Sequence, residues 1–178
     1  NYKGHQLGNA IKPDSAFKKN YNSIFPTVYV SYKANENNQF VINLGRRIDR
    51  PAYQDLNPFL YYLDNYTYEA GNPFIRPEFT WNSELSHTYK GFLTTTLNYS
   101  RTTDLMTETF DQPEDNNHAT IVREGNIGLR NNAGLAVTAQ LKPANWWNLT
   151  LYSNFNHTQF KGELNGEFID VSASNVLF

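Results

Sequence analysis

The sequence has no cysteine, a single methionine and no apolar run long enough to cross a membrane as a helix. Without cysteine there are no disulfides, no thiolate metal sites and no thiol nucleophile. Charge is scarce and nearly balanced: 15 Lys and Arg face 17 Asp and Glu, for a net charge of −2. A nucleic-acid binder would carry a basic surplus, so that class of partner is not expected. Glycine-rich phosphate loops, serine elbows and kinase signatures are missing too. The four histidines, His5, His87, His118 and His157, show no metal-ligand spacing. Asp111, Glu114, Asp115 and Asn117 crowd one segment but lack the spacing and glycine of a calcium loop, so they read as a solvated acidic loop. No catalytic residue, metal or cofactor is expected. The chain opens in Asn-Tyr-Lys-Gly and closes in Val-Leu-Phe, which reads as a piece of a longer protein.

What is present is alternation. Ile24, Val28, Val30 and Tyr32 alternate with Ser23, Thr27, Ser31 and Lys33, and the turn Ala34 to Asn38 leads into Phe40, Ile42 and Leu44 on one face. Phe79, Trp81, Leu85 and Tyr89 repeat the pattern, turn at Lys90-Gly91, and return through Leu93, Leu97 and Tyr99. Between Ile121 and Leu141 the apolar residues Ile127, Leu129, Ala133, Leu135, Val137 and Leu141 are all odd-numbered. A turn within that stretch would have an even chance of swapping the phase, so it reads as one long strand. Gly125, Gly128 and Gly134 mark bends or close approaches along it. After a turn near Pro143, Trp147, Leu149, Leu151 and Phe155 alternate again, and Phe168 to Phe178 supplies a last, weaker segment. Pro13 to Lys19 is the only stretch that suggests a turn of helix.

The expected fold class is therefore all-β: an antiparallel up-and-down meander of about seven to eight strands, part of a transmembrane β-barrel. Connections near 34–38, 90–91 and 142–146 are short, whereas those at 50–78, 111–118 and 161–167 are longer. Such an asymmetry is that of a transmembrane barrel, whose short turns face the periplasm. Spanning strands need roughly 9–11 residues, which most of these supply. A barrel turns its apolar face to lipid, and a mean hydropathy of −0.63 does not oppose it, because alternation averages out. Tyr29, Tyr32, Trp81, Tyr89, Phe92, Trp146 and Trp147 fall near strand ends by the short turns, as a membrane-interface girdle would, with Tyr32, Tyr89, Trp146 and Trp147 the best candidates. The rival is a soluble β-sandwich or small barrel, closed by an eighth strand at residues 2–10, acting as a carbohydrate-binding or adhesive module. It requires Val28, Val30, Leu97, Leu135 and Leu151 to be buried together.

Three segments carry a family resemblance. They are Arg50-Pro51-Ala52-Tyr53-Gln54-Asp55-Leu56-Asn57-Pro58-Phe59, then Gly71-Asn72-Pro73-Phe74-Ile75-Arg76-Pro77-Glu78, and Asn126-Ile127-Gly128 followed by Gly134-Leu135. Together they resemble the β-barrel region of TonB-dependent outer-membrane receptors, nearest the barrel family abundant in Bacteroidetes. The resemblance covers roughly residues 20 to 160. It implies a bacterial outer-membrane location and import of a scarce nutrient (an iron chelate, cobalamin or glycan) through a 22-stranded barrel closed by a plug. The implied partners are outer-membrane lipid, the plug of the same receptor, the TonB complex and a small nutrient ligand. No plug or TonB-binding segment is recognisable, so residues 1–178 read as one partial barrel segment, with 50–78 as a long extracellular loop.

That loop is too long for an ordinary connection and is dense in tyrosine. Tyr53, Asp55, Tyr61, Tyr62, Asp64 and Tyr66 are candidate ligand contacts, since rings stack on flat ligands and carboxylates accept hydroxyl hydrogen bonds. The same rings also serve to hold an irregular loop together. Arg47 and Arg50, with Arg46 beside them, form a basic group at a strand end. It would attract an anionic ligand or lipopolysaccharide phosphates, or pair with Asp49, Asp55 or Glu78. Glu84 falls on the polar face in mid-strand, where it would face a lumen.

Overall fold

The structure, a computed structural model, describes residues 23–112, 119–164 and 167–178. The expected helical turn at 13–19, the eighth strand at 2–10, His5, His118, Glu114, Asp115 and Asn117 lie outside these residues. Among the described residues there are nine strands in one sheet and no α-helix: β1 (Thr27–Asn35), β2 (Asn38–Asp49), β3 (Leu60–Tyr62), β4 (Thr67–Ala70), β5 (Glu78–Tyr89), β6 (Leu93–Asp111), β7 (Thr120–Ala144), β8 (Trp147–Leu164) and β9 (Glu167–Leu177). Seven of them form an antiparallel meander in the order β1-β2-β5-β6-β7-β8-β9, which is the wall. The hairpin β3-β4 belongs to the 50–78 connection and joins the edge of β7 by a short parallel pairing at Thr67–Thr120 to Glu69–Val122.

Register turns the alternation into rows. Val30, Ile42, Leu85, Leu97, Leu135, Phe155 and Val176 stand directly opposite one another across all seven wall strands. This apolar belt is exposed, as are Val28, Val30, Leu97, Leu135 and Leu151, at 38–51%. The sandwich rival needed those five side chains buried together; among the described residues no second sheet covers them. One residue along, on the other face, runs Tyr29, Asn43, Glu84, Asn98, Gly134, Asn156 and Asn175. That row is polar throughout except at the ring of Tyr29 and at Gly134, and Glu84 lies on it as the sequence suggests. Beside it, hydroxyls pair across β5 and β6 at Thr80–Thr102 (2.9 Å), Ser86–Thr96 (2.8 Å) and Thr88–Thr94 (3.2 Å). A sheet with one greasy and one wet face, and no layer packed on either among the described residues, has the pattern of a barrel wall.

Glycines sit where the rows require space. A Cβ on Gly134 would come within 2.6 Å of Asn98 Oδ1 on one side and 2.5 Å of Asn156 Oδ1 on the other, so its absence seats both amides. Gly128 and Gly162 face each other across β7 and β8; a Cβ on Gly128 would run into the Lys161 carbonyl, and one on Gly162 into that of Ile127. Beyond this close approach β8 leaves β7, and β4 takes over the vacated edge. The long strand expected from unbroken parity is β7, 25 residues without a turn. A bulge at Asp104 on β6 (φ 54°) interrupts its pairing, and the register is the same on either side of it.

Two expectations need correction. The connection at 161–167 is not long: Leu164 pairs with Glu167, so β8 and β9 form a tight hairpin at the long-loop end. Of the aromatics placed beside short turns, Trp81 belongs to the opposite end of β5, near the long connection, and Tyr29 is on the polar face. Alternation alone shows which face a ring occupies but not which end of a strand lies nearer a turn. Tyr32 is on the apolar face at the short-turn end, opposite Phe40. Tyr89 packs edge-on against Phe92, and Trp146 stacks on Trp147, beside the turns that follow β5 and β7. In the first of those turns Lys90 (φ 48°) and Gly91 (φ 71°) are both left-handed, the pair that a twisted hairpin demands.

Candidate functional site

The 50–78 connection is folded by its own motifs. Arg50-Pro51 leads into a single 3-10 turn at Gln54–Leu56, where Asp55 Oδ2 accepts the Ala52 N–H at 2.7 Å. The Gly71-Asn72 pair then returns to this turn: Gly71 N–H donates to Asn57 O (2.8 Å) and Asn72 N–H to Asp55 O (2.5 Å). Gly71 lies so close to Gln54 and Asn57 that a Cβ would meet their backbone at 2.4–2.6 Å, so the close packing of these chains needs glycine there.

The second motif is in turn fastened to the wall. Asn72 Nδ2 donates to Glu124 O at 3.1 Å, and Glu78 accepts the Met106 N–H at 3.2 Å. Asn126 closes the joint: its Oδ1 accepts the Arg76 N–H (2.7 Å), while its Nδ2 donates to Arg76 O and to Asp104 O (each 2.8 Å). Arg76 also pairs with Asp104 at 2.6 Å, and Ile75 beside it in the connection is fully buried. Asn72, Arg76, Asp104 and Asn126 were not singled out in the sequence as site residues. Their signal was there, in the Gly-Asn-Pro and Asn-Ile-Gly motifs, but reading it requires knowing that the three segments meet.

The clamp presents the β3-β4 hairpin outward. Tyr53, Tyr61, Tyr62 and Tyr66 are all more than half exposed. Tyr61 Oη accepts from Asn57 Nδ2 (3.1 Å), Tyr62 Oη donates to Asn65 Oδ1 (2.6 Å), and the Tyr62 ring meets Tyr68 edge-on at 6.0 Å. Asp64 Oδ1 accepts the Tyr66 N–H at 2.8 Å, and this bond with that from Thr67 holds its carboxyl below the usual range. Asp55 and Asp64 thus brace the backbone, and the tyrosines supply the free faces. Asp55, Glu69, Glu108 and Glu124 surround a depression of about 390 Å³ between the hairpin and the extended ends of β6 and β7. Partial burial, then the charges of Asp55 and Glu108, raise the Glu124 carboxyl above its usual range.

The expected basic cluster is not one. Alternation sends Arg46 and Arg47 to opposite faces: Arg46 lies over Phe79 and Trp81 on the apolar face, and Arg47 is on the polar face, opposite Thr80. Arg50 is exposed beyond the end of β2. None of the three pairs with Asp49, Asp55 or Glu78 among the described residues, where the ion pairs are Arg76–Asp104, Arg123–Asp111 and Lys161–Asp170. The sheet order puts β2 four strand positions from β4, roughly 19 Å along the sheet at the usual strand spacing. Arg47 is therefore apart from Tyr61, Tyr62 and Tyr66. Among the described residues no group of acids and histidines could hold a metal ion. His87 stacks on Phe40 at 4.5 Å and bonds Asn38 at 2.9 Å, and His157 bonds Ser174 at 2.8 Å.

Comparison with known proteins agrees with this architecture. The siderophore receptor PirA of Pseudomonas aeruginosa superposes with a TM-score of 0.60 at 13% identity, over 85% of this chain and 33% of that one. A variant of the ferric enterobactin receptor PfeA from the same organism, in complex with enterobactin, gives 0.56 at 17% identity over 85% and 27%. The chain thus spans about a third or less of the receptors it matches. No curated protein sequence matches it. Residues 3–178 match the model of the outer membrane protein beta-barrel family. With the exposed belt and the three motifs, that match identifies the chain as a member of this family, a β-barrel region of the bacterial outer membrane.

Proposed function

We propose that the chain forms part of the wall and one external loop of a TonB-dependent receptor that imports a nutrient, without catalysis. In this reading the long-loop end faces outside, the polar face lines a lumen filled by the plug, and the plug connects to the TonB complex. Tyr32, Tyr89, Trp146 and Trp147 then mark the periplasmic interface. The observation that carries the reading is the clamp: an irregular loop is held rigidly at the mouth of the wall while Tyr53, Tyr61, Tyr62 and Tyr66 stay exposed. Rings fixed at a mouth are a stacking platform for a flat or ring-bearing ligand, and pre-organisation lowers the entropic cost of capturing it. Arg47 and Arg50 add positive charge on the lumenal side and beside the loop.

An iron chelate is the first ligand class to test, since PirA and PfeA are siderophore and ferric enterobactin receptors; cobalamin and oligosaccharides are the others. Titration of the full-length receptor with each class, read by quenching of intrinsic fluorescence, tests the reading. One class should saturate, and Tyr61→Ala with Tyr62→Ala should weaken it at least ~tenfold, about 1.4 kcal/mol, with the barrel still folded. Saturation by no class, or unchanged affinity in the double variant, would overturn the assignment.

A further inference from the structure

The outer face of the wall holds a second feature that nutrient uptake does not use. Arg46, Trp81 and Arg101 stand side by side in one row, Arg46 opposite Trp81 and Trp81 opposite Arg101. Each lies four residues from the apolar belt on its own strand, at Ile42, Leu85 and Leu97. Four residues rise ~13 Å along a strand, and tilt reduces this to ~10 Å along the membrane normal. An apolar band about 25 Å tall ends at close to that height, so the row lies where hydrocarbon gives way to headgroups.

Charge is sorted between the two faces. The carboxylates of β1, β2 and β5, namely Asp49, Glu78 and Glu84, all occupy inner-face positions, and β6 has none between Leu93 and Thr103. On the outer face of these strands no carboxylate among the described residues pairs with either arginine. Arg46 is spread over the rings of Phe79 (4.5 Å) and Trp81 (5.9 Å), and one guanidinium nitrogen donates to Ile24 O at 3.2 Å. Its Nε is buried with no acceptor among the described residues. Arg101 is exposed and in no ion pair among the described residues. Two strand spacings, ~10 Å, separate their backbones, a span that two long side chains close around one tetrahedral anion.

We propose that Arg46 and Arg101, with Trp81 between them, bind a headgroup phosphate of the phosphorylated glycolipid in the outer leaflet. Guanidinium matches phosphate oxygens bidentately, and an indole at that depth covers the first acyl carbons. Towards β9 the same row continues through the uncharged Asn131, Gln159 and Ser172, and Lys161, two residues further along β8, is already paired with Asp170 at 3.1 Å, so the anion site is confined to β2, β5 and β6. The proposal rests on the outer-membrane location and on the long-loop end facing outward, and not on which nutrient is carried.

The test uses the delipidated full-length receptor in detergent, titrated by native mass spectrometry with bisphosphorylated lipid A, dephosphorylated lipid A and inorganic phosphate. Bisphosphorylated lipid A should bind at least ~tenfold more tightly than the dephosphorylated form, and inorganic phosphate alone should not displace it. Arg46→Gln with Arg101→Gln should abolish that preference, whereas Lys33→Gln with Arg130→Gln, the same charge change on the inner face, should leave it intact. A receptor that does not discriminate the two lipids, or an equal loss in both double variants, overturns the site. Should the outer-face variant fail to fold, the wild-type comparison of the two lipids still decides. Neither outcome depends on ligand binding at the tyrosine loop, so the two assignments fail separately.

Discussion

The wall and the 50–78 connection are built from opposite materials. The wall is regular and leaves its whole apolar belt exposed; its order comes from register and from what surrounds it. The connection is irregular, and side-chain-to-backbone bonds do the work that a ladder does elsewhere. Wall strands tolerate change wherever the rows are preserved, because each position repeats its neighbour's role. The connection does not, since single amides at Asn72 and Asn126 satisfy several backbone groups at once.

The sharpest way to break this contrast is to charge the belt. Leu97→Lys, at the middle of the row, should cost about 2–4 kcal/mol in the full-length barrel folded into vesicles, the penalty for a cation at mid-membrane depth. Asn98→Lys, one residue along on the polar face, should cost well under half of that. Urea titration of both variants measures the difference. Equal costs would mean that the two faces are not lipid and lumen.

A smaller effect is expected at the glycine pair where β8 leaves β7. Gly128→Val drives a side chain into the Lys161 carbonyl, backbone that cannot swing away. The two strands must separate there, for about 2–3 kcal/mol by the usual cost of overpacking. Gly134→Ala has only amide ends to displace and should cost less. Hydrogen exchange along β7 and β8 reports where the ladder opens.

How far the sequence was legible follows the same division. Period two and constant parity were enough for the seven wall strands, for β7 as a single strand and for the polar position of Glu84, because a one-residue slip would have exchanged lipid for lumen. The hairpin β3-β4 was not anticipated as strand, since its parallel pairing with β7 depends on a segment fifty residues away. Arg46 and Arg47 looked like one cluster because adjacency along the chain resembles adjacency in space, which alternation denies. The tyrosines were visible in the loop, but the amides that hold them out were not, because an asparagine that mimics backbone partners leaves no periodic trace.

Removing one such amide is the next prediction in size. Asn126→Ala leaves the Arg76 N–H and the Arg76 and Asp104 carbonyls to water. The joint is partly exposed, so the cost should be about 1–3 kcal/mol and confined to the docking of 50–78. Limited proteolysis should show cleavage within 50–78 while the wall keeps its resistance to denaturation in detergent. Loss of the whole barrel would show that the connection and the wall are a single cooperative unit.

The smallest effect concerns Glu124, whose carbonyl receives Asn72 and whose carboxyl faces Asp55 and Glu108. Its pKa in the folded protein is raised above the ordinary value of 4.5, by desolvation first and the two neighbouring charges second. The folded state therefore holds the proton more tightly than the unfolded one. By linkage, docking of the connection weakens as pH rises from the ordinary carboxylate range through the raised value, and is constant above it. Glu124→Gln removes the unfavourable charge, so it should protect 50–78 from hydrogen exchange at neutral pH by a small factor. The advantage should shrink as the pH is lowered through the raised value and disappear in acid, where the native side chain is also neutral. An advantage that persists in acid would mean that the substitution acts through packing, and that the carboxylates around this depression do not repel one another.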